Sequence, residues 1–112
     1  MSTSPPDRRP LAGMRVIEAG QLLAGPFTGT ILGYFGAEVI KVEPPDGGDP
    51  IRGWREMRNG TSLWWASLAR NKKCVTLDLR TERGRALLGD LAARADVFVE
   101  NFRPGIMEKW GL

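Results

Sequence analysis

The sequence predicts an α/β fold built on a parallel sheet, and three observations predict it. Short β-branched runs alternate with segments of helical periodicity in the order β-α-β-loop-β-α-β. A loop bracketed by glycines joins the first strand to the first helix. The last stretch, IMEKWGL, reads as helix with no further strand, so the expectation is a partial Rossmann-like sheet, the opening half of a doubly wound fold and an incomplete domain.

The first ten residues, MSTSPPDRRP, are polar and proline-rich without a hydrophobic signal core; they read as a disordered leader, and the domain is expected over residues 11–112. MRVIEA, residues 14–19, is the first strand, broken by Gly20. A loop of small and apolar residues runs to Gly25. Pro26 suits a first helical turn, where its missing N–H has no helical partner. Phe27, Ile31 and Tyr34 or Phe35 recur at helical spacing, and Gly36 is the stop. AEVIKVE, residues 37–43, is the second strand, completing a βαβ unit with a right-handed crossover. Residues 44–62 read as a long loop of proline, glycine and charge, a length that often signals function. LWWASLAR reads as a short helix or turn with Trp64 and Trp65 packed inward. CVTLDLR, residues 74–80, is the third strand. Thr81 caps a helix over 82–95, whose Leu87, Leu88, Leu91 and Ala95 share an apolar face. DVFVEN, residues 96–101, is the fourth strand, and FRPG turns the chain into the last helical segment.

The formal net charge is +3, but the cations cluster: Arg52, Arg55 and Arg58 in one segment, Arg70, Lys72 and Lys73 in another. Either these are solvated surface or they meet an anionic partner. No helix-turn-helix, zinc-finger or RNA-binding aromatic signature accompanies them, so nucleic acid is not expected and a small phosphorylated ligand fits better. No apolar run is long enough to span a membrane, and no membrane partner is expected. Cys74 is the single cysteine and histidine is absent, so no internal disulfide or zinc site is expected, and the setting reads as reducing and cytoplasmic. Cys74 itself reads as buried and inert, since a thiol nucleophile needs a base.

Gly25, Gly29 and Gly33 fall four apart and bare one helix face. For Gly29 and Gly33 this reads as close packing on the sheet. Gly20 and Gly25 bracket the strand-to-helix loop, where backbone N–H groups and a helix N-terminus attract anions. The loop, Gly20-Gln-Leu-Leu-Ala-Gly25-Pro26, does not have the dinucleotide spacing, and Pro26 removes a donor. Glu43 stands where a ribose-binding acid would, a weak signal alone. No Gly-Lys-Ser/Thr follows, so a P-loop is excluded. The frame is that of a nucleotide binder with a different loop.

AGPFTGTILGYFGAEVIKVEPPDGGDPIR and ARNKKCVTLDLRTERGRALLGDLAARADVFVENFRPG together resemble the amino-terminal part of the family III CoA-transferases, over about residues 11–112. This family includes carnitine- and bile-acid-inducible CoA-transferases, formyl-CoA transferase and α-methylacyl-CoA racemase. The resemblance implies CoA transfer between an acyl-CoA donor and a carboxylic acid, with CoA as substrate rather than cofactor. It implies an aspartate nucleophile that lies beyond residue 112, an interlocked homodimer, and CoA held along the amino-terminal part. Carried over singly, Leu22, Leu23 and Ala24 match the loop that lies against CoA. Leu77 and Arg80 match residues that meet the nucleotide end, Leu77 being otherwise a core residue of the strand and Arg80 a cation for phosphate or else a solvated side chain. Asn101 and Phe102 match positions lining the pantetheine and adenine region; otherwise Asn101 starts a turn and Phe102 is core. Lys109 matches a basic residue on the following helix, a second phosphate partner or a solvated cation.

Two departures bear on substrate. Leu23 stands where the formyl-CoA branch has glutamine, which argues against an oxalate-specific enzyme. Pro44 stands where that branch has arginine, so the nucleotide either goes without that cation or takes it from a neighbour such as Arg52. GDPIRGWRE, SLWW and ARNKK resemble members that handle small dicarboxylic acyl-CoAs. Asp78, Asp90 and Asp96 read as strand or helix residues of the frame, so the chain alone is expected to be inactive. The rival readings are a racemase-type enzyme abstracting a proton beside a thioester, and a non-catalytic orphan fragment with an unpaired sheet edge.

Overall fold

The structure, a computed structural model, describes residues 5–112; residues 1–4 of the expected leader lie outside it. Its strands are β1 (Arg15–Glu18), β2 (Glu38–Glu43), β3 (Met57–Arg58), β4 (Thr61–Ser62), β5 (Lys72–Thr76) and β6 (Val97–Val99). Its helices are α1 (Ala24–Tyr34), α2 (Leu63–Leu68), α3 (Glu82–Ala93) and α4 (Ile106–Lys109), with a 3-10 turn at Pro50–Gly53. Four strands form a parallel sheet in the order β5-β2-β1-β6, with Ile17 in register with Ile40 on one side and Phe98 on the other.

Successive residues of β1 point to opposite faces and seed two cores. Val16 packs with Ala37 and Val39, and Leu32 of α1 lies on that face; Ile17 packs with Val42 and Leu88 of α3 on the other. Helices thus cover both faces, as the βαβ pattern requires. α1 comes close because its inner face is bare: a Cβ on Gly29 would run into the Glu18 carboxylate, and one on Gly33 would stand 3.5 Å from Val39. Gly36 ends α1 at φ +107°, a conformation glycine adopts without strain. Thr81 caps α3, its Oγ1 accepting from Gly84 N at 3.0 Å.

Several sequence expectations are corrected. The third strand is Lys72–Thr76, not 74–80. Its ladder ends where Leu77 N donates to Glu43 O at 3.0 Å, because Pro44 has no N–H to continue it. Cys74 is exposed on this edge strand, not buried. Desolvation and the nearby Glu43 carboxylate still push its thiol up, so it stays protonated. Residues 44–62 are not plain loop. Asp49 caps the 3-10 turn, and Asn59 and Gly60, at φ +52° and +79°, turn the β3–β4 hairpin. Trp64 is exposed and meets Trp54 edge-on at 5.4 Å, while Trp65 lies half-buried under the Arg52 guanidinium at 3.8 Å. Leu68 takes the inward place of α2 instead. Of the expected face of α3, Leu88 is buried and Leu91 and Ala95 half-buried, but Leu87 is exposed.

Candidate functional site

All four parallel strands end at one edge of the sheet, which is where ligands bind in open α/β folds. A cavity of about 200 Å³ lies there. Ala19 and Gln21 line it after β1, Val42 to Pro44 at the end of β2, Leu77 to Arg80 after β5, and Phe102 and Trp110 beyond β6. Phe102 and Trp110 stand edge to face at 5.3 Å and form an aromatic wall.

The β1–α1 loop beside the cavity is held from two sides. Asn101 grips Gln21 through both backbone groups: Oδ1 accepts from Gln21 N at 2.8 Å and Nδ2 donates to Gln21 O at 2.9 Å. A Cβ on Gly20 would collide with this amide, and one on Gly25 would press against it at 3.0 Å. The two glycines therefore make room for a side chain of this chain, where the sequence suggested an anion. From the other side the Asp49 carboxylate accepts from Leu22 N at 3.1 Å, and Leu22 sits at φ +64°.

Beneath the loop lies a chain of buried charges. Lys41 Nζ meets Glu18 Oε2 at 2.6 Å and Asp49 Oδ2 at 2.8 Å; Lys72 Nζ meets Glu18 Oε1 at 2.7 Å. Glu43 takes the Arg52 guanidinium in two bonds of 2.7 Å and accepts from Asp49 N at 2.8 Å. Burial pulls the Lys41 ammonium down, but Glu18 and Asp49 more than reverse this and leave it raised. At Lys72 burial prevails and the ammonium is lowered. Burial would raise the Glu43 carboxyl, yet Arg52 and the Asp49 N–H hold it below the ordinary value.

Among the residues singled out from the sequence, Leu77, Arg80 and Phe102 line the cavity. Leu77 also packs against the Ile17 cluster. Leu22, Leu23 and Ala24 are exposed where the loop enters α1, and Asn101 reaches the site through Gln21. Lys109 is exposed on α4, outside the lining, next to Trp110. Arg80, on the rim, is gripped by Asp78 at 2.9 Å and reaches Asp46 at 3.3 Å; the Asp78 hydrogen bond raises its guanidinium and lowers the carboxyl. Arg52 is paired with Glu43. Asp78, expected in a frame strand, lies in a turn of the cavity wall.

Sequence reasoning missed Gln21, Asp46, Asp49 and Trp110. Trp110 had a usable signal, four residues after Ile106 and so on the same helix face. The Asp of GDP signals the cap of the turn it opens, but not its bond to Leu22, 27 positions away.

The arrangement is an apolar cleft with a cation at its mouth. The carboxylates there are already engaged: Glu43 by Arg52, Asp46 and Asp78 by Arg80. Among the described residues, no group of three or more His, Cys, Asp and Glu side chains is placed to hold a metal ion, and no helix is long and apolar enough to cross a membrane.

Residues 11–112 match the model of CoA-transferase family III. Succinyl-CoA–D-citramalate CoA-transferase of Chloroflexus aurantiacus is 57% identical over 99% of this chain and 27% of its own length. Succinyl-CoA:glutarate CoA-transferase of Mus musculus is 44% identical over 93% of the chain and 24% of its own length. A CAIB/BAIF family protein from Brucella suis has a TM-score of 0.85 at 41% identity, over 95% of this chain and 29% of that one. The chain therefore spans about a quarter of the length of the relatives it matches.

Proposed function

Since this chain belongs to CoA-transferase family III, we propose that its residues form the CoA-binding front of an enzyme that moves CoA from an acyl-CoA donor such as succinyl-CoA to a small dicarboxylic acid. The observation that carries the reading is the cavity at the carboxyl ends of the parallel strands, apolar within and bearing Arg80 at its mouth. An apolar cleft with few placed polar groups suits a flat or rod-shaped ligand with a phosphorylated end. The adenine and pantetheine would lie against Leu77 and Phe102, the exposed Leu22, Leu23 and Ala24 would flank the thioester arm, and Asn101 would hold the loop in shape. Arg80 and Lys109 would meet phosphates, Arg80 by exchanging Asp46 and Asp78 for the stronger anion. The succinyl donor and dicarboxylic acceptor follow the activities for which the relatives from Chloroflexus aurantiacus and Mus musculus are named.

Transfer conserves the thioester: CoA leaves one acyl group and joins another, whose carboxylate oxygen departs with the first. That exchange needs a nucleophile. The described carboxylates at the cavity are tied up in ion pairs, so the reading assigns the nucleophile to an aspartate outside these residues. The interlocked homodimer and the cytoplasmic setting that the sequence suggests are part of the same proposal.

The test is isothermal titration of CoA into this chain and its Arg80→Ala variant, with a transfer assay beside it. Saturable binding, weakened about tenfold by removal of one charge-assisted phosphate bond, is the expected result. The chain alone is expected to transfer nothing from succinyl-CoA to malate, citramalate or glutarate. Transfer by these 112 residues, or a folded chain with no affinity for CoA, would overturn the reading.

A further inference from the structure

Leu22 is a bulky residue at φ +64°, a backbone region that L side chains avoid, and its side chain and that of Leu23 stand exposed at 37% and 40%. Neither the strain nor the exposure serves the core. Such an arrangement persists only where the surroundings over-determine it, and it clusters at functional sites.

What over-determines it is Asp49. This carboxylate is 1% exposed. It accepts from Leu22 N at 3.1 and 3.3 Å, accepts from Ile51 N at 3.0 Å, and meets Lys41 Nζ at 2.8 Å. One buried side chain thus ties the loop after β1 to the 3-10 turn and to the middle of β2. Part of its charge balances Lys41, because Glu18, 2.6 Å from that ammonium, is shared with Lys72. The bonds left over are those that shape the backbone.

We infer that Asp49 is a positioning residue, whose buried carboxylate, paired with Lys41, sets the left-handed turn at Leu22 and so presents the β1–α1 loop to CoA. The ligand in this inference rests on the CoA reading above; the turn does not. Asp49 acts through Leu22 and touches no substrate itself.

The experiment compares Asp49→Asn with Ser62→Ala in the intact protein. The amide keeps the size of the side chain but cannot serve Leu22, Ile51 and Lys41 together. Ser62 is equally buried, donates to Trp54 O at 2.7 Å and caps α2, away from the loop. Hydrogen exchange is read on the peptide spanning residues 20–25, and steady-state constants for succinyl-CoA and for the acceptor acid. Asp49→Asn is expected to speed exchange at the Leu22 amide by about tenfold or more, as expected when a local bond is removed. It should raise KM for succinyl-CoA about tenfold with kcat nearly unchanged, the pattern of weakened uniform binding. The KM for the acid should not move. Ser62→Ala should lower the unfolding temperature yet change none of these. If loop exchange is unaltered, or if both variants shift exchange and KM in proportion to lost stability, Asp49 is merely structural and the inference falls. If the loop loosens but CoA binds as tightly as before, the inference falls while the CoA reading stands. If the loop loosens and the wild-type protein never bound CoA, the CoA reading falls and the role of Asp49 in shaping the turn stands.

Discussion

An atom that α1 cannot carry is a Cβ at Gly29. The Glu18 carboxylate occupies that space, and it cannot retreat because Lys41 and Lys72 hold both its oxygens. Gly29→Ala is therefore expected to cost about 2–3 kcal/mol, in the range of overpacked cores, seen as a lower denaturant midpoint. Gly89, in the middle of α3 with nothing within 4 Å of an added Cβ, is the opposite case. Gly89→Ala should add up to about 1 kcal/mol of helix propensity. A shared sign for the two substitutions would show that helix propensity, not the Glu18 contact, governs both. The bare face of α1 was legible, because glycines four apart leave one pattern only. The charge beneath it was not. Lys41 and Glu43 alternate with apolar residues in β2 as solvent-facing residues do, yet both are buried. Only Glu18 and Asp49 beside Lys41, and Arg52 beside Glu43, make their burial tolerable.

Elements with local signals kept their places. Thr81 opens α3 by accepting from Gly84 N, and Thr81→Ala is expected to cost about 1 kcal/mol, measured by thermal unfolding. An unchanged transition would mean that the Asp78 turn before it fixes the helix start instead. The strands β1, β2 and β6 end within two residues of their expected bounds, since their β-branched runs are closed by glycine, proline or turn residues. β5 departs from its expected span because LDLR continues the alternation past Pro44, where the partner strand has no N–H left. The β3–β4 hairpin was hidden for another reason. Its Asn-Gly turn is visible in the sequence, but strands of two residues carry no alternation to flank it.

At the scale of the whole molecule, pH reads the sum of these charges. Glu43 has a depressed carboxyl, so its contribution is present above the ordinary value of 4.5 and lost as pH falls through the folded value. Glu38 and Asp78, held by Lys73 and Arg80 at the surface, act in the same direction. The raised Lys41 contributes fully below 10.5 and is lost only as pH rises through its higher folded value. Lys72, lowered by burial, works the other way: its charged form weighs against the fold at neutral pH, and the penalty lifts as pH climbs toward 10.5. The unfolding temperature should therefore be level through neutrality and fall below about pH 4.5. A decline between pH 5 and 8 would contradict this assignment, since none of these shifts operates there. The candidate site belongs to the same scale. Motifs named several of its residues, but its cavity is made by the tips of four strands, and which tips meet is a matter of strand order that no local pattern states.

That order also governs how the protein comes into being. β1 is made early but occupies the middle of the sheet, and one of its two neighbours is β6, with Val16 opposite Val97. The amide clamp on Gln21 comes from a residue 80 positions later. Closing so long a loop is entropically slow, so on the ribosome the βαβ half can form while the cradle stays open. The binding loop acquires its final shape only once Asn101 has cleared the exit tunnel, which ties the birth of the site to nearly the last residues translated from this stretch.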